Sequence, residues 1–508
     1  MPPTTLRRLA AFAAVFTVAS ALAAPGAALA QARPLTGLDA YIEQALREWE
    51  VPGLALAVIR NDTVIHARGY GVRELGQSGA VDEHTLFAIA STTKAMTVAA
   101  LGMLIDERKL RWDDPVARHM PTFQLADPFI TRELTVRDLL THRSGLARND
   151  NLWIAAPFDR QEVLRRARYL PVASGFRSTY GYNNIMYIAA GETVAAVSGM
   201  SWDDFLEQRL FGPLGMTRTT SRAAIVEARD NVAMSHTHVD GRVAPVPRRN
   251  YDNIGGAGAV FSSVHDMAQW LRMHLNGGTY HGQRLLAPAT LREMYSPQTV
   301  MRSDTTAERM FPTTHFRAYG LGWFLQDYQG RKLVHHSGSI NWTRTQIMLV
   351  PSERIGVVAI ANYGSSNLQL ALAYRVIDAL MGVAPTDWSA EYLALARRAQ
   401  AATPAAPADP NRGRIMNTTP SLALADYAGR YTSELYGDVE LTLEHGRLVL
   451  RYAPDYMADM EHWHHDTFRA RWRRTGYGTA LLTFTLSHQG RAASLELEGF
   501  GTFRRMGQ

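Results

Sequence analysis

The stretch ASTTKAMTVAALGMLIDERK, residues 90–109, decides the fold. From Thr92 to Lys109 it is apolar on nearly all sides, which predicts a helix buried within the fold rather than one on its surface. At the start of that helix Ser91 stands three residues before Lys94, and side chains at positions i and i+3 share one helix face. The sequence therefore predicts a hydroxyl beside an amine at the beginning of a buried helix.

Lysine is rare in this chain, which has 53 Lys and Arg residues together but lysine only at positions 94, 109 and 332. An amine beside Ser91 can take the hydroxyl proton, whereas a guanidinium does not deprotonate in proteins. Partial burial would lower the pKa of Lys94, and the helix N-terminus favours negative charge that develops nearby. The alternative is structural: Ser91 caps the helix and Lys94 is a solvated first-turn residue.

Two other motifs present polar side chains. In Tyr182-Asn183-Asn184 the phenol can relay a proton, and the amide can hold a substrate carbonyl or fix the lysine. In His336-Ser337-Gly338 the imidazole can exchange hydrogen bonds near neutral pH, and the glycine lets a substrate backbone approach the strand edge. Taken alone, the first motif also fits a turn with a packed tyrosine, and the second fits an ordinary hairpin.

Composition excludes several functional classes. The chain of 508 residues has no cysteine, which rules out disulfides, thiolate zinc sites and a cysteine nucleophile. Its 46% hydrophobic and 20% charged residues are typical of a globular protein. The net charge of +6 comes from arginines scattered among acids, so we expect no nucleic-acid partner. The cluster Arg471, Arg473 and Arg474 is typical of a solvated face.

We expect neither a metal nor a cofactor. Glu461, His462, His464 and His465 do not form H-E-x-x-H, and alternating residues on a strand point to opposite faces. The sequence also contains no G-x-G-x-x-G, no P-loop and no G-x-S-x-G, so neither a nucleotide cofactor nor an α/β-hydrolase nucleophile elbow is indicated.

Residues 1–30 have the features of a secretory signal peptide. Arg7 and Arg8 precede a mostly apolar stretch, and Ala28-Leu29-Ala30 is an A-x-A cleavage site before Gln31. The alternative is an uncleaved anchor helix. No other stretch approaches the about 18 uninterrupted apolar residues that a membrane span needs. We therefore expect an exported protein, periplasmic or secreted, without a membrane span after signal cleavage.

The remaining pattern predicts an α+β fold. Two strand-like runs flank the turn signal Asn61-Asp62, three more occupy residues 333–361, and helical patterns lie between them. We therefore predict helices packed on an antiparallel sheet over residues 31–385. Residues 386–420 include an Ala- and Pro-rich stretch that we interpret as a linker. Short strands over residues 421–508 predict a small β-rich, barrel-like domain.

The order and spacing of the three motifs resemble the serine β-lactamase and penicillin-binding-protein superfamily. The resemblance is to the branch of class C β-lactamases, D-alanyl-D-alanine carboxypeptidases, D-aminopeptidases and related esterases, which carries S-x-x-K, Y-x-N and K-T-G or H-x-G. It spans residues 36–382 and implies a helical subdomain beside the sheet. Further segments are similar to family sequence: LTVRDLLTHRSGL (134–146), PLGM (213–216), GGAG (255–258) and YGLGW (319–323).

The resemblance implies a role for each motif residue. Ser91 is then the acylated nucleophile, Lys94 its base, Tyr182 a proton relay and Asn184 an orienting group. The backbone N–H groups of Ser91 and Ser339 are then the oxyanion hole, where loss of one donor typically costs roughly 10²–10³ in rate. Whether Lys94 or Tyr182 takes the first proton is disputed for the family.

Two departures from the family pattern bear on the substrate. His336 stands where β-lactamases usually carry lysine, and a neutral imidazole is a poorer partner for a carboxylate. Trp342 follows Asn341 where relatives often have glycine, so its indole would narrow the cleft.

We therefore expect a serine peptidase that cleaves amide bonds of small or unusual peptides. The alternatives are a carboxylesterase, a weak β-lactamase, or a catalytically inactive peptide- or peptidoglycan-binding protein. The expected partner is a small-molecule or short-peptide substrate.

Overall fold

The computed structural model describes residues 35–154, 156–402, 411–454 and 456–507. The predicted signal peptide, residues 1–30, lies outside the described residues. The chain forms a mixed helix-and-sheet domain followed by a closed β-barrel. This is the α+β fold with a C-terminal β domain that the sequence predicts.

An eight-stranded antiparallel sheet forms the centre of the first domain, in the order β2-β1-β8-β7-β6-β5-β4-β3. Its strands are β1 (Gly53–Arg60), β2 (Thr63–Gly71), β3 (Thr299–Met301), β4 (Arg317–Tyr319), β5 (Phe324–Tyr328), β6 (Arg331–Ile340), β7 (Thr343–Val350) and β8 (Ile355–Ala361). Asn61 and Asp62 have φ of 50° and 66° and close the β1–β2 hairpin, as expected for a two-residue turn of this kind.

Helices cover both faces of the sheet. They include α1 (Leu38–Glu48), α2 (Thr93–Asp106), α3 (Val136–Leu140), α4 (Asn184–Ser198), α5 (Trp202–Leu206), α6 (Val264–Leu275), α7 (Leu368–Met381) and α8 (Trp388–Ala402), of which α3 and α5 are short. Alternate residues of β1 serve two cores: Ala55 and Ala57 face the core that contains α2, α4 and α6, whereas Leu54 and Leu56 face α1 and α7. Both faces of β1 are covered, and its residues are apolar from Gly53 to Ile59.

Shorter elements connect the sheet and the long helices. One-turn and two-turn helices are Val116–His119, Pro128–Glu133, Asn151–Ile154, Arg160–Arg166, Gly212–Leu214, Ala223–Glu227, Pro288–Met294, Thr305–Met310 and Leu424–Tyr427, with tighter or wider turns at Ala90–Thr92, Ala167–Tyr169, Glu207–Phe211, Asp252–Ala257 and Pro351–Glu353. Small strand pairs are Phe87–Ala88 with Phe261–Ser262, Ser235–Val239 with Arg242–Val246, and Thr279–Tyr280 with Gln283–Arg284.

Helix α2 is the buried helix predicted from residues 92–109. Every residue from Thr93 to Leu104 is buried, so no face of this helix is left for solvent. It packs against α4, which is buried over most of its length. None of the described helices is both long enough and apolar enough to cross a membrane.

The C-terminal barrel is closed by eight strands, each paired with the next and the last paired with the first. They are β9 (Gly429–Ser433), β10 (Gly437–Glu444), β11 (Arg447–Ala453), β12 (Tyr456–His464), β13 (Thr467–Trp472), β14 (Thr479–Leu486), β15 (Ala492–Leu497) and β16 (Gly501–Arg505). Aromatic side chains fill its core, among them Tyr427, Tyr431, Phe468, Phe484 and Phe503. Closure leaves no open sheet edge in the barrel.

The segment interpreted as a linker, residues 386–420, contains helix α8. Trp388 and Tyr392 anchor this helix, because both are buried in the core beside α7. The Trp388 indole also donates to the Asp378 carboxylate at 2.7 Å. Alanine is the strongest helix former, so the alanines of this segment extend a helix that the tryptophan holds in place. Residues 403–410 of the segment lie outside the described residues.

We predict that Trp388→Ala lowers the free energy of unfolding of the first domain by about 3–5 kcal/mol, as is usual when a buried large aromatic is truncated. Urea unfolding followed by circular dichroism measures the change. Val300→Ala is the control, because Val300 is 81% exposed and surface changes usually stay within about 0.5 kcal/mol. A loss below about 1 kcal/mol for Trp388→Ala would mean that α8 does not stabilise the domain.

Candidate active site

Ser91 lies on the tight turn Ala90–Thr92 that leads into α2. Ala90 has a φ of 51°, a left-handed conformation that costs a non-glycine residue energy. The turn is held by the Thr92 hydroxyl, which donates to the Ile89 carbonyl at 2.7 Å. Ser91 is half-buried while both neighbours are buried, so its hydroxyl is the group that the turn presents to the cleft.

The Lys94 amine is fully buried and has three oxygen neighbours. Its Nζ lies 3.1 Å from Ser91 Oγ, 2.8 Å from Asn184 Oδ1 and 2.8 Å from the Ala257 carbonyl oxygen. Burial holds its pKa well below the ordinary lysine value, although the nearby Asp150 carboxylate raises it. A neutral amine has two N–H groups and one lone pair. If the two carbonyl oxygens accept the N–H groups, the lone pair is left for the Ser91 hydroxyl.

Tyr182 contacts the same serine oxygen from the other side. Its hydroxyl donates to Ser91 Oγ at 2.8 Å. Burial raises the pKa of this phenol, which keeps it protonated and therefore a donor at neutral pH. Ser91 Oγ is thus held between a basic amine and a phenol that can supply a proton.

Asn184 orients the lysine, and Asp150 orients Asn184. The Asn184 amide donates to Asp150 Oδ1 at 2.9 Å, which turns its carbonyl oxygen towards Lys94. Asp150 also accepts from the Trp153 indole at 3.0 Å and pairs with Arg148 at 2.6 Å. The sequence analysis missed Asp150, because it lies in a loop and no spacing links it to Asn184.

A second missed residue is His142, which supports Tyr182. It is fully buried, its Nδ1 accepts from the Asn183 N–H at 3.1 Å, and its ring centroid lies 4.2 Å from that of Tyr182. Burial holds its pKa well below the ordinary value, with a smaller effect from Lys94. His142 belongs to the family-like segment 134–146, which is the signal that could have identified it.

His336 is buried beside Tyr182, but both of its ring nitrogens have protein partners. Nδ1 lies 2.6 Å from the Ser337 carbonyl oxygen and must donate to it, so Nε2 accepts from the Tyr319 hydroxyl at 3.0 Å. Burial lowers the pKa of His336 to about 3, with a smaller effect from Lys94. The imidazole is therefore neutral at physiological pH.

Gly338 lets strand β6 approach the Ser91 turn. A Cβ at this position would lie 2.3 Å from the Ile89 carbonyl oxygen. The close neighbour on the side where a Cβ would stand is the chain itself, and a role of Gly338 in admitting a substrate backbone stays a prediction. Ser339, the next residue, lines the same cleft as Ser91.

The cleft in front of Ser91 has a volume of about 750 Å³. Lys94, which is fully buried, lies behind its floor, while Ser91, Tyr182, Asn184, His336 and Ser339 line it. Its charged lining residues are Arg148, Asp150 and Arg344, and its aromatic ones include Trp153, Tyr251, Phe324, Trp342 and Tyr477. Tyr477 and Gly476 come from the C-terminal barrel, so the cleft is built from both domains. The arrangement can activate a hydroxyl in a cleft whose lining includes several aromatic side chains.

Residues 38–381 match the family model described as Beta-lactamase, and residues 414–506 match one described as a domain of unknown function, DUF3471. Unguisins hydrolase ungD of Aspergillus violaceofuscus is 31% identical over 445 residues, which cover 81% of this chain and 77% of that protein. Penicillin-binding protein 4 of Amycolatopsis lactamdurans is 31% identical over 335 residues, 63% of this chain and 83% of that protein.

Solved structures show the same fold. The octameric penicillin-binding protein homologue from Pyrococcus abyssi matches with a TM-score of 0.62 at 22% identity, over 92% of this chain and 99% of that one. SurE matches with a TM-score of 0.57 at 20% identity, over 94% of this chain and all of that one. Both matches extend through the barrel region as well as the first domain.

We predict that Gly338→Ala separates β6 from the Ser91 turn, because the new Cβ would overlap the Ile89 carbonyl. Overpacking of this kind typically costs about 1–3 kcal/mol. Thermal unfolding measures that loss, and a crystal structure of the variant shows whether the contacts of Ser91 with Lys94 and Tyr182 lengthen. Gly181→Ala is the control, since a Cβ there meets nothing within 4 Å. Equal stability of the two variants would contradict the prediction.

Proposed function

The chain belongs to the beta-lactamase family through residues 38–381, and on that premise we propose that it is an exported serine hydrolase acting through an acyl-enzyme on Ser91. Its substrates are the amide bonds of small or unusual peptides. One observation carries the proposal: Ser91 Oγ is contacted by both Lys94 Nζ, at 3.1 Å, and the Tyr182 hydroxyl, at 2.8 Å. The names of the relatives, a hydrolase and a penicillin-binding protein, support a serine hydrolase-type enzyme.

In the acylation step, Lys94 is the base. Ser91 Oγ bonds to the substrate carbonyl carbon as its proton passes to the neutral Lys94 amine, which stays bound to the oxygens of Asn184 and Ala257. The developing oxyanion is held by the backbone N–H groups of Ser91 and Ser339. The lowered pKa of Lys94 and the raised pKa of Tyr182 favour the lysine over the phenolate for this role.

Breakdown of the tetrahedral intermediate completes the acyl-enzyme. The carbon–nitrogen bond breaks, Tyr182 gives its phenol proton to the leaving amine, and the proton held by Lys94 restores the phenol. Water then attacks the acyl carbon. Its hydroxyl joins the acid product, its other hydrogen returns to Ser91 Oγ, and the starting state is regenerated.

Weak β-lactamase activity is a second candidate function, which Arg344 favours and His336 does not. His336 is neutral and has no free ring nitrogen, so it is a poor partner for a β-lactam carboxylate. Arg344, however, lines the cleft opposite Ser339 in the β6–β7 pairing. Its Nε donates to the Gly364 carbonyl at 2.7 Å, and no described carboxylate forms an ion pair with it. A carboxylate on the substrate would therefore find a cation there.

Active-site labelling tests the nucleophile. We predict that a fluorophosphonate adds one adduct to the wild-type protein and none to Ser91→Ala, as seen by intact mass. Ser201→Ala is the matched control, because the Ser201 hydroxyl caps helix α5 away from the cleft. A labelled penicillin in a parallel sample tests the second candidate. Absence of any adduct on folded wild-type protein would favour the inactive binding-protein alternative and reject our proposal.

The pH dependence of turnover tests the assignment of the base. A base acts when deprotonated, so kcat/KM for a peptide p-nitroanilide, whose leaving amine needs the Tyr182 proton, should rise with pH through the lowered pKa of Lys94, with this acid limb below 10.5. The phenol must stay protonated, and its raised pKa places the alkaline limb above 10.0. We expect Tyr182→Phe to remove the alkaline limb and to lower the rate by about 10²–10⁴.

Asp150→Asn separates the charge of Asp150 from its hydrogen bonds. The substituted amide keeps an oxygen for Asn184 and Trp153, but it loses the negative charge that raises the Lys94 pKa. The acid limb should therefore move to lower pH in this variant. An unchanged limb, or one moved to higher pH, would show that Lys94 is not the titrating base.

A further inference from the structure

The barrel reaches the cleft through one loop, residues 473–478 between β13 and β14, which we call the barrel loop. Its Gly476 and Tyr477 line the cleft. The first domain holds this loop in place: the Arg474 guanidinium donates to the carbonyls of Pro247 and Arg248, each at 3.2 Å, and Arg249 donates to the Tyr477 hydroxyl at 2.9 Å. These hydrogen bonds therefore fix the barrel loop against the first domain beside the cleft.

Trp342 faces the barrel loop from an unfavourable backbone conformation. Asn341 and Trp342 form the two-residue turn between β6 and β7, with φ of 43° and 59°. Both central positions of such a turn favour asparagine or glycine, and a bulky residue in the left-handed region is an outlier. Outliers of this kind persist where the surroundings fix them and are concentrated at functional sites.

Two glycines, one from each domain, enclose the indole. A Cβ on Gly364 would lie 2.6 Å from Trp342 Cδ1, and a Cβ on the barrel's Gly476 would lie 2.9 Å from its Cζ2. Tyr477 meets the indole edge to face, with ring centroids 6.0 Å apart and planes at 90°. Trp342 nevertheless remains half-exposed in the cleft. The two rings form an aromatic wall to which both domains contribute.

On the proposed mechanism, the aromatic wall lies on the acyl side of Ser91. Tyr182, which gives a proton to the leaving group in the mechanism above, packs near His336, with ring centroids 6.5 Å apart. Trp342 lies six residues beyond His336, past Ser339 and therefore beyond the C-terminal end of strand β6. The part of the substrate that stays on Ser91 extends towards this end.

We propose that Trp342 and the barrel residue Tyr477 form a specificity-determining subsite that binds an aromatic or similarly flat apolar acyl group. The inference rests on the proposed acylation of Ser91 and extends it to the substrate class. Aromatic rings favour edge-to-face and offset contacts with other rings, which the perpendicular Trp342–Tyr477 pair offers. The barrel is then part of the substrate-binding site, while the reacting groups all belong to the first domain.

A matched pair of reagents tests the subsite on the full chain. Phenylmethanesulfonyl fluoride and methanesulfonyl fluoride both sulfonylate an activated serine, forming a sulfur–oxygen bond as fluoride leaves, and differ by one phenyl ring. The ratio of their second-order labelling rates, followed by intact mass, is compared among variants, so their intrinsic reactivities cancel. p-Nitrophenyl phenylacetate and p-nitrophenyl acetate provide the same comparison in turnover.

We expect Trp342→Gly and Tyr477→Ala each to lower the ratio of the phenylmethanesulfonyl fluoride rate to the methanesulfonyl fluoride rate by about 10-fold or more. This is within the range of selectivity changes seen in apolar pockets. The methanesulfonyl fluoride rate of each variant shows any general loss of Ser91 reactivity, which cancels in the ratio. Trp342→Gly creates the favoured Asn-Gly turn, so it should fold at least as well as wild type. Phe316→Ala removes a ring that is 78% exposed and serves as the control.

The outcomes separate this inference from the proposed function. If methanesulfonyl fluoride labels Ser91 but the ratio is unchanged or higher in Trp342→Gly, the aromatic subsite is rejected and the serine hydrolase stands. If the ratio falls in Trp342→Gly alone, the barrel does not contribute to the subsite and the inference is also rejected. If neither reagent labels wild-type Ser91 and neither ester is turned over, the proposed function fails, and the inference with it.

Discussion

The site depends on the buried Lys94 amine and on the three oxygens around it. A buried amine needs a hydrogen-bond partner for each N–H group and for its lone pair, because an unpaired buried polar group is costly in free energy. Ser91, Asn184 and Ala257 supply those partners from three separate parts of the chain. Burial is also what lowers the pKa of Lys94. Burial therefore lowers the pKa of this amine and also requires these three segments to come together around it.

The segment GGAG, residues 255–258, shows how closely the chain must pack for the Ala257 carbonyl to reach Lys94. A Cβ on Gly256 would lie 2.5 Å from the Tyr187 carbonyl oxygen, and one on Gly258 would lie 2.8 Å from a methyl carbon of Ile254. Gly255 has a φ of 34°, in the region that favours glycine. Without these glycines the segment would stand away from α2 and α4. The Ala257 carbonyl would then no longer reach Lys94.

Local patterns explain which features the sequence could predict. The contact of Ser91 with Lys94 follows from their spacing on one helix, and the β1–β2 hairpin follows from Asn61-Asp62. By contrast, the roles of Asp150 and of His336 Nε2 arise from partners in other elements, Asn184 and Tyr319. Helix α8 falls in the segment interpreted as a linker, because the alanines and prolines of residues 401–414 outweigh Trp388 in the composition of that segment. The burial of that tryptophan depends on α7, which composition does not reveal.

The turn at Trp342 links the C-terminal barrel to strand β6 of the first domain, which carries Ser339. The barrel is fixed by bonds that Arg166 donates to the Glu434 carbonyl, at 2.7 Å, and Asn149 to the Tyr436 hydroxyl, at 2.6 Å. Its Gly476 in turn confines the indole, whose backbone lies three residues beyond Ser339 of strand β6. A left-handed tryptophan is stable only while its surroundings hold it. Changes at the barrel interface can therefore alter the cleft without touching Ser91, Lys94 or Tyr182.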